Sequence, residues 1–308
     1  MIGFVLARLA QAVPAVVGVT LVAFVLIQVS GDMTQLLLPA DTTEEQRAAF
    51  RRVYGLDQPI PIQYGRYVLR LVQGDFGRSF VHGRPAIEVV FDRLPATIEL
   101  TLVAMVIGVS LAIPAGVISA VRRDSIFDRL VTVLVMLGQS MPAFWLGMLL
   151  ILMFAVNLQV LPVSGRGSLP QLVLPGLTLS MWPLTLAARL TRSGMLEVLS
   201  QDYIRTARAK GLGGLVVTTR HALRNALVPI VTVLGINLGG MLGGAVLTET
   251  VFAWPGIGTL VLASVLTRDY PVVLAALICV ATAFVLINLM VDVVYGYLDP
   301  RIRTAHGR

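Results

Sequence analysis

Six stretches of this chain contain no Asp, Glu, Lys or Arg and are long enough to cross a bilayer: residues 9–31, 100–121, 130–165, 167–188, 225–248 and 270–291. A charge at the centre of an inserted helix costs about 2.5–3.5 kcal/mol, and about 20 residues at 1.5 Å rise cover the hydrocarbon core. With 56% apolar and 13% charged residues, the chain departs from the balance of a water-soluble domain. The expected fold class is therefore all-α, a polytopic membrane protein with six transmembrane helices. The third stretch exceeds one span. Its tail, Asn157 to Gly165, is polar and broken by Pro162 and Gly165, which predicts a helix ending near Val156.

An 18-residue stretch, 250–267, is interrupted by Trp254-Pro255-Gly256-Ile257-Gly258 and reads as a short re-entrant or interfacial element. Charge bias agrees with that reading. With six spans and both termini inside, the short cytoplasmic pieces hold 14 Lys and Arg, including Arg8, Arg122, Arg123, Arg129, seven between Arg189 and Arg224, and Arg301, Arg303 and Arg308. The short outer loops hold two, and a seventh span would place the basic tail outside, against the positive-inside rule. The first stretch, 23 residues with no clear cleavage site after it, reads as an uncleaved first helix rather than a secretion signal.

The division expected is a first transmembrane helix over 1–31, an extracytoplasmic loop region over 32–95, a five-helix core over 96–300 and a cytoplasmic tail over 301–308. In the outer region eight arginines balance eight acidic residues. Thr43-Glu44-Glu45-Gln46 carries capping-box chemistry and leads into a short helix ended by Gly55. A region of this size forms a small cap, either a landing surface for an outer partner or a passive shield, and not a self-sufficient enzyme core.

Chemistry within the chain is poorly supported. A phosphate-binding loop of the Walker type needs Gly-Lys followed by Ser or Thr, whereas the one lysine, Lys210, is followed by Gly211. The histidines, His82, His221 and His306, fall in an outer loop, an inner loop and the tail, where no pair can meet at a metal or nucleophile. Cys279 is alone inside the last span. Ionisable residues that could relay protons in a secondary transporter are scarce within the spans. Glu99 and Glu249 lie at span ends, where they either line a substrate path or make structural hydrogen bonds. Asn237 in the fifth span is open to the same two readings, and Met241 one turn on is a further candidate for the path. Gly235, Gly239, Gly240, Gly243 and Gly244 crowd that span and allow either close helix packing or a wall that repacks.

The long inner segment, 193–225, is the most distinctive. From Ser193 to Lys210 helix formers continue without proline, with Leu196, Leu199, Tyr203, Ala207 and Lys210 at helical spacing. Gly211-Leu212-Gly213-Gly214 then breaks the pattern before a second run, Leu215 to Leu227. The expected geometry is helix, bend, helix. Small residues at Ala207, Ala209 and Gly211 would let another protein approach, with Arg205, Arg208 and Lys210 as a charged rim. Contact with anionic lipid is the simpler alternative.

Several motifs in order resemble the permease subunits of ATP-driven importers, in the dipeptide and oligopeptide branch. They are Asp202 to Gly211, His221 to Leu227, Leu247 to Phe252 with Trp254-Pro255-Gly256, Arg268-Asp269-Tyr270-Pro271, and the tail Asp299 to Arg303. Ser125-Ile126-Phe127-Asp128, Ser140-Met141-Pro142 and Pro162 to Gly165 also match. The loop motif of importers in general (Glu-Ala-Ala, three residues, Gly, nine residues, Ile-x-Leu-Pro) is met only at Ala207, Gly211 and Leu223, as in the peptide branch. Gly31-Asp32-Met33 departs from the family's Gly-Asp-Pro.

The resemblance implies a type I importer permease fold in a bacterial plasma membrane. Tyr203, Arg205, Thr206, Ala207, Arg208, Lys210, Gly211, His221, Leu223, Arg224 and Asn225 are then the expected loop contacts to partner ATPases. It also implies a second homologous permease, two ATP-binding subunits that hold ATP and magnesium, and an extracytoplasmic solute-binding protein, with no cofactor in this chain and no nucleic acid. Dipeptides are the expected cargo, with glutathione, nickel chelates or haem as alternatives within the class and an ion-driven carrier as the alternative outside it.

Overall fold

The computed structural model describes residues 13–14, 16–26, 42–54 and 57–298. Arg8, the ends of the first apolar stretch, Gly31-Asp32-Met33, Gly55 and the tail from Asp299 lie outside the described residues. Among those described, the regular structure is helical: α1 Val16–Leu26, α2 Glu44–Tyr54, α3 Ile60–Val72, α4 Ala86–Val121, α5 Ile126–Ser140, α6 Ala143–Asn157, α7 Leu169–Leu199, α8 Asp202–Ala209, α9 Arg224–Gly244, α10 Val246–Val251, α11 Ile257–Leu266 and α12 Tyr270–Leu298. By length and composition α4, α7 and Tyr270–Val291 of α12 can cross a membrane, and two bent helix pairs raise the number to as many as five.

The chain forms two compact units. One holds the described residues up to Asp92 together with Val261–Thr282. Here the predicted capping box is present: the Thr43 amide donates to Gln46 Oε1 at 3.1 Å, and the Gln46 amide donates to Thr43 Oγ1 at 3.4 Å. Phe24 of α1 packs its ring on Tyr64 and Tyr67 of α3, with centroids 5.4 and 5.9 Å apart. Asp269, buried, accepts from Ser79 Oγ at 2.5 Å and from the Phe80 amide at 3.1 Å, and so fastens the turn that precedes α4.

The other unit covers Arg93–Leu260 and the last helix from Ala283. Its centre is α7, along which three apolar clusters follow one another. The first joins Ala96, Leu100 and Ala104 of α4 to Leu172, Leu179, Met241, Ala245 and Trp254. The second joins Ala112 to Ala187, Ala188, Ile230 and Leu234. The third joins Ala120 and Met195 to Ile204, Ala207, Val217, Ala222 and Ala226. Glycine lets α4 and α7 meet closely: a Cβ at Gly116 would lie 2.6 Å from Thr191 Cβ and 2.7 Å from the Ala188 carbonyl. The same holds at Gly138 of α5, where a Cβ would lie 2.6 Å from Met181 Sδ.

Three local expectations change. The third apolar stretch ends at Asn157, beside the predicted end at Val156, yet it is not one straight helix: α5 and α6 meet at 109°. Pro142 has no amide to continue α5, and it holds Met141 extended at φ −83°, ψ 130°. The helix expected across Ser193 to Lys210 is two helices, because Gln201 is extended at φ −72°, ψ 150° and α8 starts afresh at Asp202. Asp202 in the first turn favours that new N-terminus. Finally, α4 begins well before residue 100, since the charged residues Glu88 to Arg93 are compatible with helix. The stretch 250–267 is interrupted where the sequence indicates, and α11, ten residues long, is about 15 Å and too short to span.

Candidate functional site

Helix α8 is two turns long and amphipathic across its width. Ile204 and Ala207, three residues apart, are buried in the third cluster, while Tyr203, Arg205, Thr206, Arg208 and Lys210 are exposed. Ala207 therefore faces the chain's own core and not a neighbouring protein. An apolar side chain every third residue has two faces to choose between, and only the packing of Met195, Val217 and Ala222 decides. Tyr203 and Asn225 meet across the loop, with Asn225 Nδ2 donating to the phenol oxygen at 2.8 Å and to the His221 carbonyl at 3.1 Å. Thr206 Oγ1 turns back to the Asp202 carbonyl at 3.1 Å, and Arg205 sits 3.5 Å from the exposed Asp202 carboxylate, a contact that water largely screens.

The bend after α8 is a Schellman motif. The Gly211 amide donates to the Arg208 carbonyl at 2.9 Å and the Leu212 amide to the Ala207 carbonyl at 3.4 Å, with Gly211 at φ +76°. A Cβ at Gly211 would meet nothing within 4 Å, so the backbone angle, not space, calls for glycine. Beyond the bend, Gly214–Val216 passes through a π-helical turn, Val217–Leu223, into α9. This turn carries His221 half-buried and Leu223 against the third cluster, with Arg224 exposed beside it. Leu212, Leu215 and Val216 are exposed next to the bend. These three are not among the contacts expected from the sequence. Their signal was an apolar run beside glycines in a loop that had no other reason to be apolar. Together the loop exposes the apolar side chains of Tyr203, Leu212, Leu215 and Val216 and the basic ones of Arg205, Arg208, Lys210, Arg220 and Arg224.

At the far end of the same unit the two candidate carboxylates part ways. Glu249 is fully buried: Thr97 Oγ1 donates to Oε1 at 2.6 Å and the Thr259 amide donates to Oε2 at 3.1 Å, which makes this carboxylate a cap on the first turn of α11. Thr97 Oγ1 also accepts the Ile257 amide at 2.8 Å, and the buried Trp254 indole donates to the Ala96 carbonyl at 2.8 Å. Glu99 is half-exposed and pairs with Arg166 at 2.7 Å. The two carboxylates do not form one site.

Between these ends lies a cavity of about 430 Å³, walled by Gly138, Gln139, Met141, Met181, Trp182, Asn237 and Met241 among others. Both Asn237 and Met241 line it. Trp182 Nε1 donates to Asn237 Oδ1 at 2.9 Å, and Asn237 Nδ2 donates to the Val233 carbonyl at 2.7 Å. No ionisable side chain lines the cavity, and its volume suits a small organic solute. Of the crowded glycines, Gly235 and Gly239 serve close packing, facing Val291 and Phe284, whereas Gly240 borders the cavity. Trp182, Gln139 and Met141 were not singled out as cavity residues by sequence reasoning, because nothing local says which faces of α5 and α7 stay open. Among the described residues no group of three or more His, Cys, Asp or Glu could hold a metal ion.

Residues 112–304 match the family model of the binding-protein-dependent transport system inner membrane component, and residues 1–101 match the N-terminal model of the same proteins. The chain belongs to this family. Among its relatives, the permease is 40% identical over 332 aligned positions to the dipeptide transport system permease protein of Alkalihalophilus pseudofirmus, covering 98% of this chain and 100% of the other. It is 40% identical to the dipeptide transport system permease protein of Escherichia coli, covering 98% and 99%. It is also 41% identical to the glutathione transport system permease protein of Salmonella paratyphi A, covering 98% and 99%. In fold, the permease resembles the inward-facing MetNI methionine ABC transporter, with a TM-score of 0.59 at 21% identity over 68% of this chain and 96% of the other. The permease is a multi-pass membrane protein of α-helices.

Proposed function

We propose that this permease is the membrane-embedded subunit of an ATP-driven importer for peptides, dipeptides first. The observation that carries the reading is the 40% identity to dipeptide permeases over essentially the full length of both chains. ATP and magnesium act in two partner subunits, which dock on the exposed face of the loop around α8. The support for this is that the loop exposes apolar and basic side chains together, the composition a protein partner can use. A second homologous permease completes the pathway, and a solute-binding protein delivers the peptide from outside. The chain itself holds no cofactor and transmits motion.

In this reading six helices span the bacterial plasma membrane with both termini in the cytoplasm, the region 32–95 lies outside, 96–300 is the core with its coupling loop at 193–225, and 301–308 is a cytoplasmic tail. Charge asymmetry supports that orientation. The cavity between Trp182 and Asn237 is this chain's contribution to the peptide path. Its neutral, amide-bearing wall suits a peptide whose side chains vary.

Glutathione is the second reading, supported by a relative 41% identical over 98% of this chain. Purification of the tagged permease from its native membrane, followed by mass spectrometry and uptake of labelled glycyl-leucine in competition with glutathione, tests both. Recovery of P-loop ATPases and uptake blocked by excess dipeptide but not by glutathione supports the main reading. Recovery of the permease alone after gentle crosslinking would overturn it in favour of an ion-driven carrier.

A further inference from the structure

Asp128 stands in the first turn of α5 and is buried, yet four donors converge on its carboxylate. Arg192 of α7 approaches as a fork, Nε to Oδ1 at 2.7 Å and Nη2 to Oδ2 at 2.8 Å. Ser119, near the end of α4, donates its hydroxyl to Oδ1, and the Asp124 amide donates to Oδ2 at 3.0 Å. One carboxylate thus joins three helices. We propose that the Asp128–Arg192 pair is the positioning link through which movement of the coupling loop reaches the cavity, an inference that rests on the importer reading above.

The route is continuous on both sides of the pair. Met195 lies one turn beyond Arg192 on α7, and Ala120 follows Ser119 on α4; both belong to the cluster that grips Ile204 and Ala207 of α8. A shift of α8 therefore bears on the two helices that hold the carboxylate. In the other direction α5 carries the displacement from Asp128 about 15 Å to Gly138 and on to Gln139 and the break at Met141, which wall the cavity. Arg189, one turn before Arg192, donates to Gln139 Oε1 at 3.2 Å, and the close approach of Gly138 to Met181 holds α5 against α7 beside the cavity. Helices α5 and α7 are both walls of that cavity, so their relative rotation sets its shape.

A bidentate fork suits this task because it fixes direction as well as distance, which an apolar contact does not. Burial of an ion pair is in itself weak support for stability, since apolar residues of similar volume often serve as well. What the fork adds is alignment between α5 and α7.

The test uses the complete complex, with its second permease, ATP-binding subunits and binding protein, in proteoliposomes. Uptake of labelled glycyl-leucine and ATP hydrolysis are measured together for the wild type, Asp128→Asn and Arg192→Lys. The expected result is uptake per ATP reduced by about tenfold or more, in the range typical of coupling between sites, while hydrolysis persists. Lysine keeps the charge and loses the fork, so Arg192→Lys isolates alignment from charge. An unchanged ratio in an assembled variant, even with both rates lowered, overturns the proposal and leaves the pair a stabilising contact. Failure of both variants to assemble assigns it to folding and overturns it equally. A wild-type complex without ATP-driven uptake overturns the importer reading first, and the link with it.

Discussion

Thr97 donates to Glu249 at 2.6 Å and with the same oxygen accepts the Ile257 amide at 2.8 Å. The hydroxyl lies between the start of the second apolar stretch and the Trp254-Pro255-Gly256 loop, and it serves a buried carboxyl and a helix N-terminus at once. Thr97→Val keeps the shape and removes both bonds, which should destabilise the permease by about 1–3 kcal/mol. Thr97→Ser should stay near wild type. Thermal unfolding in detergent compares them, and equal midpoints for valine and serine would mean that these two bonds contribute nothing.

Gly116 permits α4 and α7 to meet. An added Cβ would strike the Ala188 carbonyl at 2.7 Å, and a backbone atom cannot rotate away. Gly116→Ala should therefore cost about 1–3 kcal/mol by overpacking. Gly240→Ala, with nothing within 4 Å, should be nearly silent. The two variants are compared by the same melting measurement, and a silent Gly116→Ala would mean that the helices lie further apart.

Gly211 differs from both, since its surroundings are open and its φ is +76°. Gly211→Ala should cost about 1–2 kcal/mol of local backbone strain. Gly211→Arg adds bulk on the docking face and should abolish uptake and ATPase recovery while membrane insertion stays intact. Pull-down of the ATP-binding subunits against total membrane content of the permease reads this out. Normal recovery with the arginine in place would move the docking surface elsewhere.

Trp182 is more than half exposed in the wall of the cavity, tied to Asn237 by its indole N–H. Trp182→Ala should widen the cavity and favour bulky cargo, changing the uptake ratio of Trp-Trp to Ala-Ala by about tenfold. Trp182→Phe, which loses the hydrogen bond but keeps a smaller aromatic ring in the wall, should have a smaller effect. If neither variant alters the ratio, the cavity lies off the peptide path.

Much of this arrangement is legible in the chain because it depends on near neighbours. The capping box at Thr43 to Gln46, the helix end near Val156, the interruption at Trp254 to Gly258 and the bend at Gly211 follow from residues a few positions apart, whose backbone preferences act before any tertiary contact forms. The break at Met141-Pro142 was missed although its cause is equally local, since proline removes the amide that a continuous helix requires.

The site was legible only as a segment. That 193–225 is basic and helical is plain from composition and spacing, but Ile204 and Ala207 turn inward because Met195, Val217 and Ala222 cover that face, and Leu212, Leu215 and Val216 remain outside for want of such cover. The amino-acid order by itself determined where the chain is apolar enough for lipid, where it must turn and where its positive charge gathers, since these are sums over local free energies. Only the tertiary structure decided that Glu249 meets Thr97 across 152 residues and Asp128 meets Arg192 across 64. A buried polar group must find a partner, and which one lies within reach depends on how close glycines such as Gly116 and Gly138 allow the helices to come.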